Sequence, residues 1–229
     1  MRNYDLILFD LDNTILDFSK IEAYSLKKTL KNYGITVEEA VVEEYRKINK
    51  EEWDKFQDKK QTKKETTINR FCRLSKFIGK EFPVEKVNEE YLEHLTEEVY
   101  FIKEAEDTLE KIKTTGIRMG MLSNGVKKVQ EKRFEKAGLG RFFEHVLTSE
   151  EAGVPKPDPK IFGMILDKFE IKPEKTLFVG DSYESDIVGA LNSGMKPIWY
   201  KPDFDIDDTE IKDGNYEIIT RLSEIIDFL

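Results

Sequence analysis

Short apolar runs alternate with helical patterns along most of this 229-residue chain. Each run has four or five residues, the length of a short buried strand, and the later runs are separated by segments with helically spaced apolar positions. The runs are Leu6–Phe9, Arg118–Leu122, His145–Thr148, Thr176–Val179, Pro197–Tyr200 and Tyr216–Ile219, and the helical segments are Ala105–Thr114, Lys127–Ala137, Pro159–Phe169, Tyr183–Asn192 and Arg221–Phe228. This alternation predicts an α/β fold in which a Rossmann-like parallel sheet carries helices on both faces.

Residues 18–99 interrupt the alternation. They are rich in Glu and Lys and have helix-spaced apolar positions such as Ile21 and Leu30, but no clear strand. We therefore predict two domains, an α/β core formed by residues 1–17 and 100–229 and an all-helical insertion at residues 18–99. Residues 18–98 contain 17 Lys+Arg and 17 Asp+Glu, so the net charge of −9 falls entirely on the core. A core this acidic would need a metal ion to hold a phosphate group.

The composition favours an acidic enzyme of the cytoplasm. A net charge of −9 disfavours nucleic acid polymers and anionic membranes as partners. The one cysteine cannot form an internal disulfide, which suits a reducing compartment. No apolar run approaches the roughly 18 residues of a membrane span, and no leader peptide is evident. We expect a cytoplasmic monomer or weak dimer that binds a small molecule.

Two aspartates, Asp10 and Asp12, follow the first apolar run with a single leucine between them. Burying an unpaired carboxylate is costly, so this strand end should lie beside something positive. In an open parallel sheet, ligands bind beyond the carboxyl ends of the strands. Three later strands lead into polar segments at that edge, namely LSNG at Leu122–Gly125, VPKPDP at Val154–Pro159 and VGDSYESD at Val179–Asp186. One site could therefore combine four carboxylates, a serine and a lysine.

Hydrolysis of a phosphate monoester would use the two aspartates in different roles. Asp10 would attack phosphorus and form a covalent aspartyl-phosphate, which divides one difficult step into two. Asp12 would protonate the leaving oxygen and later deprotonate the attacking water. These roles require that the pKa of Asp12 be held above that of Asp10.

The other motif residues would hold the phosphate and a metal ion. Ser123 can donate a hydrogen bond to a phosphate oxygen, aided by the backbone amides of Asn124 and Gly125 at a helix N-terminus. Lys156 adds a compact positive charge. A hard divalent cation, Mg²⁺ above all, would offset the repulsion between the carboxylates and the phosphate.

The order of these motifs resembles that of the haloacid dehalogenase (HAD) superfamily. DxDxT corresponds to Asp10–Thr14, the serine motif to Ser123, the lysine to Lys156 and GDxxxxD to Asp181 and Asp186. The resemblance implies a phosphatase whose insertion is a C1 helical cap. It also implies that Asp10, Asp181 and the backbone carbonyl of Asp12 are the protein ligands of Mg²⁺. Asp186 would then hold the metal's waters or a neighbouring ligand.

Several functions remain open within and outside this resemblance. The stretches Asn13–Leu26, Leu147–Phe162 and Gly180–Tyr200 are most similar to bacterial pyrimidine 5′-nucleotidases, which indicates a nucleotide substrate. Small organic phosphates such as phosphoglycolate or sugar phosphates, and a β-phosphoglucomutase-like transfer, are alternatives. A dehalogenase needs no acid at a leaving oxygen, so Asp12 argues against it. A phosphate-binding regulatory domain without activity is the non-enzyme alternative, and the presence of both aspartates argues against it.

The insertion should govern access to the site. Water must be excluded during attack by Asp10 and admitted afterwards, so we predict a cap that opens and closes on hinges near residues 17–19 and 100–104. Helical spacing predicts that most cap aromatics are core residues. One or two of them could instead stack on a substrate base. The aromatics considered are Tyr24, Tyr33, Tyr45, Trp53, Phe56, Phe71, Phe77, Tyr91 and Tyr100.

Overall fold

Six parallel strands form the sheet of the α/β core. The computed structural model describes residues 4–203 and 215–229, so residues 1–3 and 204–214 of the predicted core lie outside the described residues. The strands are β1 (Leu6–Phe9), β2 (Arg118–Ser123), β3 (His145–Thr148), β4 (Thr176–Gly180), β5 (Lys196–Tyr200) and β6 (Glu217–Ile219). They are ordered β3-β2-β1-β4-β5-β6, and every neighbouring pair is parallel. The predicted Rossmann-like sheet is confirmed.

The strand order changes direction at β1, and this fixes where a ligand can bind. Leu6 of β1 pairs with Arg118 of β2 on one side and with Thr176 of β4 on the other. In such a sheet the binding crevice lies beyond the carboxyl ends of the strands at the switch point. Asp10 follows β1 directly, and Ser123 is the last residue of β2. The topology therefore brings the predicted motifs to one edge.

The helices cover the sheet and build the insertion. They are α1 (Phe18–Lys31), α2 (Glu39–Gln57), α3 (Lys63–Ile78), α4 (Val84–His94), α5 (Ala105–Thr115), α6 (Lys127–Lys136), α7 (Ser149–Ala152), α8 (Pro159–Phe169) and α9 (Gly189–Asn192). Short 3-10 helices span Leu139–Arg141, Pro173–Lys175 and Leu222–Phe228. Among the described residues, none of the helices has the length and apolar character needed to cross a membrane.

Two of the predicted helices differ in kind from the structure. The segment predicted as one helix at Tyr183–Asn192 is a π-helix at Tyr183–Val188 followed by α9. Its first turn is wide because the amides of Asp186 and Ile187 both donate to the Ser182 carbonyl, at 3.0 and 3.3 Å. Such π turns occur often at functional sites. The last predicted helix is the 3-10 helix that ends at residue 228.

Apolar side chains on both faces of β1 explain why its sequence does not alternate. Ile7 and Phe9 pack on one face in a cluster that includes Ile112 of α5. Leu6 and Leu8 pack on the other face in a cluster with residues of α8. All of these side chains are fully buried. A strand covered by helices on both sides must be apolar throughout. Asp10, the first charged residue after β1, therefore falls at the rim of the sheet.

Helices α1–α4 form the cap, a helical cluster around an apolar core that Val129 of α6 also joins. Leu26 of α1, Tyr45 of α2, Phe71 of α3 and Tyr91 of α4 are fully buried in it. The predicted helical cap is confirmed, while its division from the core at residues 18 and 99 stays a prediction.

The two backbone segments that join the cap to the core run side by side. Leu16 and Phe101 form an antiparallel bridge. The Asp17 amide donates to the Tyr100 carbonyl at 2.8 Å, and Ile102 donates to a carbonyl on the first segment at 2.9 Å. The two predicted hinge segments are therefore joined to each other by a short ladder of backbone hydrogen bonds. Movement of the cap about them stays a prediction.

Candidate active site

The turn after β1 presents Asp10 and Asp12 to different neighbours. The Asp10 amide still donates to the Val179 carbonyl of β4 at 2.9 Å, so this residue continues the line of the strand. Its side chain is buried at the sheet edge, whereas that of Asp12 is about one quarter exposed. Asn13 then adopts a φ of 59°, a left-handed conformation that asparagine tolerates better than most residues, and its side chain accepts a hydrogen bond from the Ser19 amide at 3.2 Å.

Three carboxylates converge at the edge between β1 and β4. Asp10, Asp181 and Asp186 each offer an oxygen, and these oxygens all lie within 4.8 Å of one another. Lys156 Nζ lies 2.6 Å from an oxygen of Asp10 and 2.6 Å from an oxygen of Asp186. One lysine against three carboxylates leaves an excess of negative charge in a mostly buried place.

Burial and mutual repulsion disfavour ionisation of this cluster. Burial raises the pKa of Asp10 to about 7, and the charges of Asp186 and Asp12 add to the rise while Lys156 opposes it. Burial also raises the pKa of Asp181, with further contributions from Asp10 and Asp186. Burial lowers the pKa of Lys156, but its two carboxylate partners outweigh that effect and the net shift is upward. The lysine is therefore charged, and the carboxylates need a further cation to be fully ionised.

The donor set of the cluster fits Mg²⁺. All of the candidate ligand atoms are carboxylate oxygens, the type of ligand that a hard divalent cation prefers. The Asp12 carboxylate is engaged by other side chains, as described below, and the Asp12 carbonyl stays the further ligand that the resemblance implies. Asp186, predicted to act through the metal's waters or a neighbouring ligand, lies close enough to the other two aspartates to share one site with them.

Asp186 is held rigidly by groups around it. One of its carboxylate oxygens accepts from the Ser182 amide at 3.1 Å, and the other accepts from Lys156 and from the Ser185 hydroxyl at 3.3 Å. A Cβ at Gly180 would lie 2.3 Å from this carboxylate, so only glycine fits at that position. The GDxxxxD motif therefore specifies a glycine because the second aspartate folds back over it.

The predicted phosphate-binding residues lie together at the ends of β2 and of the loop before α8. Ser123 Oγ accepts hydrogen bonds from Gln130 Nε2 at 2.9 Å and from the Gly125 amide at 3.1 Å. With both accepted bonds made, the hydroxyl proton is available to another acceptor, as a phosphate oxygen would be. The Gly125 amide, predicted to point at phosphate, is used in holding the serine instead.

Asn124 fixes Lys156 through its backbone. The Asn124 side chain accepts from the Lys156 amide at 2.9 Å and donates to its carbonyl at 3.0 Å. This pair of hydrogen bonds ties the loop that carries the lysine to the loop that carries the serine. The predicted role of Lys156 towards phosphate thus has a second part, because its ammonium group also bridges two carboxylates.

Two residues outside the predicted motifs, Gln130 and Arg133, complete the site. Arg133 Nη1 forms a salt bridge with Asp12 Oδ1, and Gln130 Nε2 donates to Asp12 Oδ2 at 2.5 Å. Both lie on α6, where the apolar Val129, with Val126 at the N-cap, marks the inward face. The helical period places residues 130 and 133 on that same face, so polar residues at inward positions were the available signal.

A cavity of about 740 Å³ lies between this edge of the sheet and the cap. Its floor includes Asp10, Ser123 and Lys156, and its cap wall includes residues of α1 and of one face of α2. The α2 residues are Arg46, Asn49, Lys50, Trp53, Asp54 and Gln57, which recur at helical spacing. The space is large enough for an organic phosphate whose body extends from the carboxylates into the cap.

The sequence matches the family model of haloacid dehalogenase-like hydrolases over residues 7–200. This chain belongs to that family. The match begins in β1 and ends with β5, so it contains all four motifs and the cap.

The relatives found for this family member are hydrolases and phosphatases. The HAD-hydrolase YfnB of Bacillus subtilis, crystallised with bound magnesium, superposes with a TM-score of 0.89 at 31% identity, covering 99% of this chain and 98% of that one, and its crystal structure reveals interdomain movement. Pyrimidine 5′-nucleotidase PynA of Streptococcus pneumoniae is 32% identical, with 87% of this chain and 84% of that protein covered. A glyceraldehyde 3-phosphate phosphatase of Pyrococcus furiosus is 31% identical, with 100% and 94% covered.

The family and the site together define the chemistry at a coarse level. The protein is a phosphoric monoester hydrolase of the HAD family that uses Mg²⁺ and acts on a small phosphate ester. The family match confirms the resemblance that the four motifs indicated. The individual roles of the site residues stay predictions.

Proposed function

We propose that this enzyme is a nucleoside 5′-monophosphate phosphatase with a preference for pyrimidine nucleotides. The observation that carries the proposal is the cavity, which runs from the carboxylate cluster to an aromatic and amide-bearing face of α2. Similarity to PynA over most of the chain supports the same substrate class. A nucleotide would place its phosphate at the sheet edge and its base against α2.

Trp53 is the aromatic residue that we assign to the base. It lines the cavity and is only partly buried. The other eight aromatics named for the cap fit this role less well. Three are fully buried in the cap core and three are exposed, namely Tyr45, Phe71 and Tyr91, and Tyr24, Phe77 and Tyr100. The last two, Tyr33 and Phe56, pack against the aromatic rings of Phe82 and Trp53 respectively. An indole face offers a stacking surface to any base, and the amide of Gln57 beside it can hydrogen-bond to base edges.

The proposed mechanism uses the groups already described. An oxygen of Asp10 attacks phosphorus, the bond from phosphorus to the ester oxygen breaks, and Asp12 gives its proton to that oxygen. Asp12 then takes a proton from water as the water oxygen attacks the aspartyl-phosphate, which releases phosphate and restores the Asp10 carboxylate. Asp10, Asp181 and the Asp12 carbonyl would hold Mg²⁺, which would supply positive charge to offset the negative charge of the phosphate oxygens. Ser123 and Lys156 orient those oxygens throughout.

A second candidate substrate class is a small three-carbon phosphate. Its support is the similarity to glyceraldehyde 3-phosphate phosphatase, which extends over the whole of this chain. Such a substrate would leave most of the 740 Å³ cavity filled with water, and this favours the nucleotide. We further propose that the enzyme works in the cytoplasm as a monomer or weak dimer.

The deciding experiment is phosphate release from a panel of esters with Mg²⁺ and with chelator. We expect the highest kcat/KM on UMP, dUMP or dTMP, no turnover with chelator, and none in the Asp10→Asn variant. Turnover confined to glyceraldehyde 3-phosphate, phosphoglycolate or sugar phosphates would refute the substrate and keep the mechanism. Wild-type rates in Asp10→Asn would refute the nucleophile. Transfer of the phosphoryl group between sugar hydroxyls, with no phosphate released, would instead support the mutase alternative.

Trp53 variants test the base site separately. Trp53→Ala should raise KM for UMP by about tenfold, since stacking on an aromatic side chain contributes about 1–3 kcal/mol per base. Turnover of a small aliphatic phosphate should be unchanged, and Trp53→Phe should restore most of the UMP affinity. An equal loss on both substrates would contradict this assignment.

A further inference from the structure

Gln130 and Arg133 form a buried pair that faces Asp12. They lie one turn apart on α6 and are only 2% and 1% exposed. Each donates to a different oxygen of the Asp12 carboxylate. A guanidinium group is rarely buried unless it is paired, because removal of its charge from water costs several kcal/mol. The Asp12 carboxylate is therefore a principal partner that stabilises the buried charge of Arg133.

The orientation of the Gln130 amide is fixed by its hydrogen bond with Arg133. Its amide oxygen accepts from Arg133 Nη1 at 3.0 Å, which leaves the amide nitrogen to donate to Asp12 and to Ser123 Oγ. A Cβ at Gly125 would lie 2.1 Å from Gln130 Nε2, so the glycine of the SNG segment leaves the room that this side chain occupies. Ser123 and Gly125 at the end of β2, together with Gln130 and Arg133 on α6, thus define one position for the Asp12 carboxylate.

Arg133 also reaches the first residue of the cap. Its guanidinium carbon lies 5.4 Å from the centre of the Phe18 ring, at the start of α1 and beside the predicted hinge. A cation over an aromatic face is attracted to it. The same guanidinium therefore contacts both Asp12 and the segment about which the cap is predicted to move.

We propose that Gln130 and Arg133 are positioning residues that hold the Asp12 carboxylate in one orientation for proton transfer at the ester oxygen and at water. This inference rests on the proposed function, because it presupposes that Asp12 is the general acid and base. Donors on both oxygens hold the plane of the carboxylate in place, so one orientation serves the ester oxygen in the first step and water in the second.

The proposal makes a prediction that depends on the leaving group. An alkyl ester such as a nucleotide needs a proton on its leaving oxygen, whereas p-nitrophenol departs as a stable anion. The value of kcat/KM reports the first chemical step for both. We expect Gln130→Met to lower kcat/KM for an alkyl phosphate by about 10- to 100-fold, within the range of general acid catalysis, and that for p-nitrophenyl phosphate by less than about threefold.

Three further variants make the test specific. Lys132→Met, on the exposed face of the same helix, should behave as wild type on both esters. Arg133→Lys keeps the charge but loses the planar fork, and should show the same leaving-group dependence as Gln130→Met in milder form. In an Asp12→Asn background, Gln130→Met should cause no further loss, because a residue that acts through Asp12 has nothing left to position.

Equal losses on the two esters, or no loss on either, would overturn the proposal, as would a full additional loss in the Asp12→Asn background. If Asp12→Asn itself lowered both esters equally, the role of Asp12 would fail and the positioning role with it. Failure of nucleotide turnover alone would refute only the proposed substrate, since any alkyl phosphate that the enzyme hydrolyses can serve in this comparison.

Discussion

Gly180, the last residue of β4, leaves the space into which the Asp186 carboxylate folds. Since a Cβ there would lie 2.3 Å from that carboxylate, Gly180→Ala must displace it from Lys156 and from the Ser182 amide. We expect Mg²⁺ to bind about 10- to 100-fold more weakly, as when a group supporting a metal ligand is lost. We also expect a fall of about 1–3 kcal/mol in the free energy of unfolding, the usual cost of overpacking. Calorimetric titration with Mg²⁺ and urea unfolding measure the two effects.

Gly163 provides the matched control for this substitution. It lies inside α8, and a Cβ there would meet nothing within 4 Å. Gly163→Ala should therefore raise the free energy of unfolding by about 0.5–1 kcal/mol, because alanine loses less backbone freedom in a helix. It should leave Mg²⁺ affinity unchanged. If the two variants lost Mg²⁺ affinity alike, contact with Asp186 would not be the reason that residue 180 is a glycine.

At the residue scale, the sequence predicts the members of the site better than their partners. Asp10, Ser123, Lys156 and Asp181 could be selected because each stands at or beyond a strand end, where a parallel sheet exposes its ligands. Their pairing could not be predicted. That Lys156 bridges two carboxylates depends on the path of the loop before α8, which no local pattern encodes.

At the element scale, a polar network ties the cap helices together beside their apolar core. Arg70 of α3 donates to Asn49 of α2 and to Asn88 of α4, each at 3.1 Å. Asn49 in turn donates to Glu22 of α1 at 3.0 Å, and Arg46 donates to the same carboxylate at 3.3 Å. One connected set of hydrogen bonds therefore involves all four helices. A substitution at any member of the set would remove hydrogen bonds from its neighbours.

Glu22 should make the stability of the cap depend on pH. Burial raises its pKa to about 7 from an ordinary value of 4.5, although Arg46 and Arg70 oppose the rise. The folded protein therefore holds this proton more tightly than the unfolded chain. The stabilisation is fully present below pH 4.5 and is lost as pH rises through about 7, by a total of roughly 3 kcal/mol.

Glu22→Gln isolates this effect, because an amide cannot titrate. Urea unfolding of wild type and variant at intervals from about pH 4.5 to 8.5 should show the variant gaining roughly 3 kcal/mol relative to wild type over that range. The difference should develop mainly between pH 5 and 7.5, where the two protonation equilibria are separated. Parallel stability curves at all pH values would mean that Glu22 ionises alike in the folded and unfolded states.

The sequence also sets limits at the element scale. Strand positions were predictable because a buried strand in a parallel sheet is apolar throughout, and capping signals such as Gly79 after α3 mark helix ends. The π-helix at Tyr183–Val188 was not predictable, because its wide turn places Asp186 against Lys156, which lies far away in the sequence, in the loop before α8. Local periodicity there is simply that of a helix.

At the scale of the whole molecule, the cap and the core meet through lysines on the segment around the α2–α3 connection. Lys63 Nζ donates to the Gly125 carbonyl at 2.8 Å and to the Ser149 hydroxyl at 2.7 Å. Lys59 Nζ lies 2.6 Å from a carboxylate oxygen of Asp158. All three core partners lie in or near the predicted phosphate-binding segments, so opening of the cap would break these contacts.

Loss of Lys63 should shift the cap towards an open form. Lys63→Met removes two hydrogen bonds and an ion pair with Glu150 at 3.1 Å, together about 1–2 kcal/mol, which corresponds to a rise of about 5- to 30-fold in the ratio of open to closed molecules. We expect faster amide exchange at the start of α3, a larger radius of gyration in solution scattering, and a higher KM, because substrate binding must first close the cap. Lys64→Met removes an exposed neighbour of the same size and should change none of these. Mg²⁺ with a phosphate analogue should restore the closed form in both variants. If instead the radius of gyration were equal in wild type and Lys63→Met, with and without these ligands, the cap would be rigidly attached. Water would then have to enter the site without cap movement.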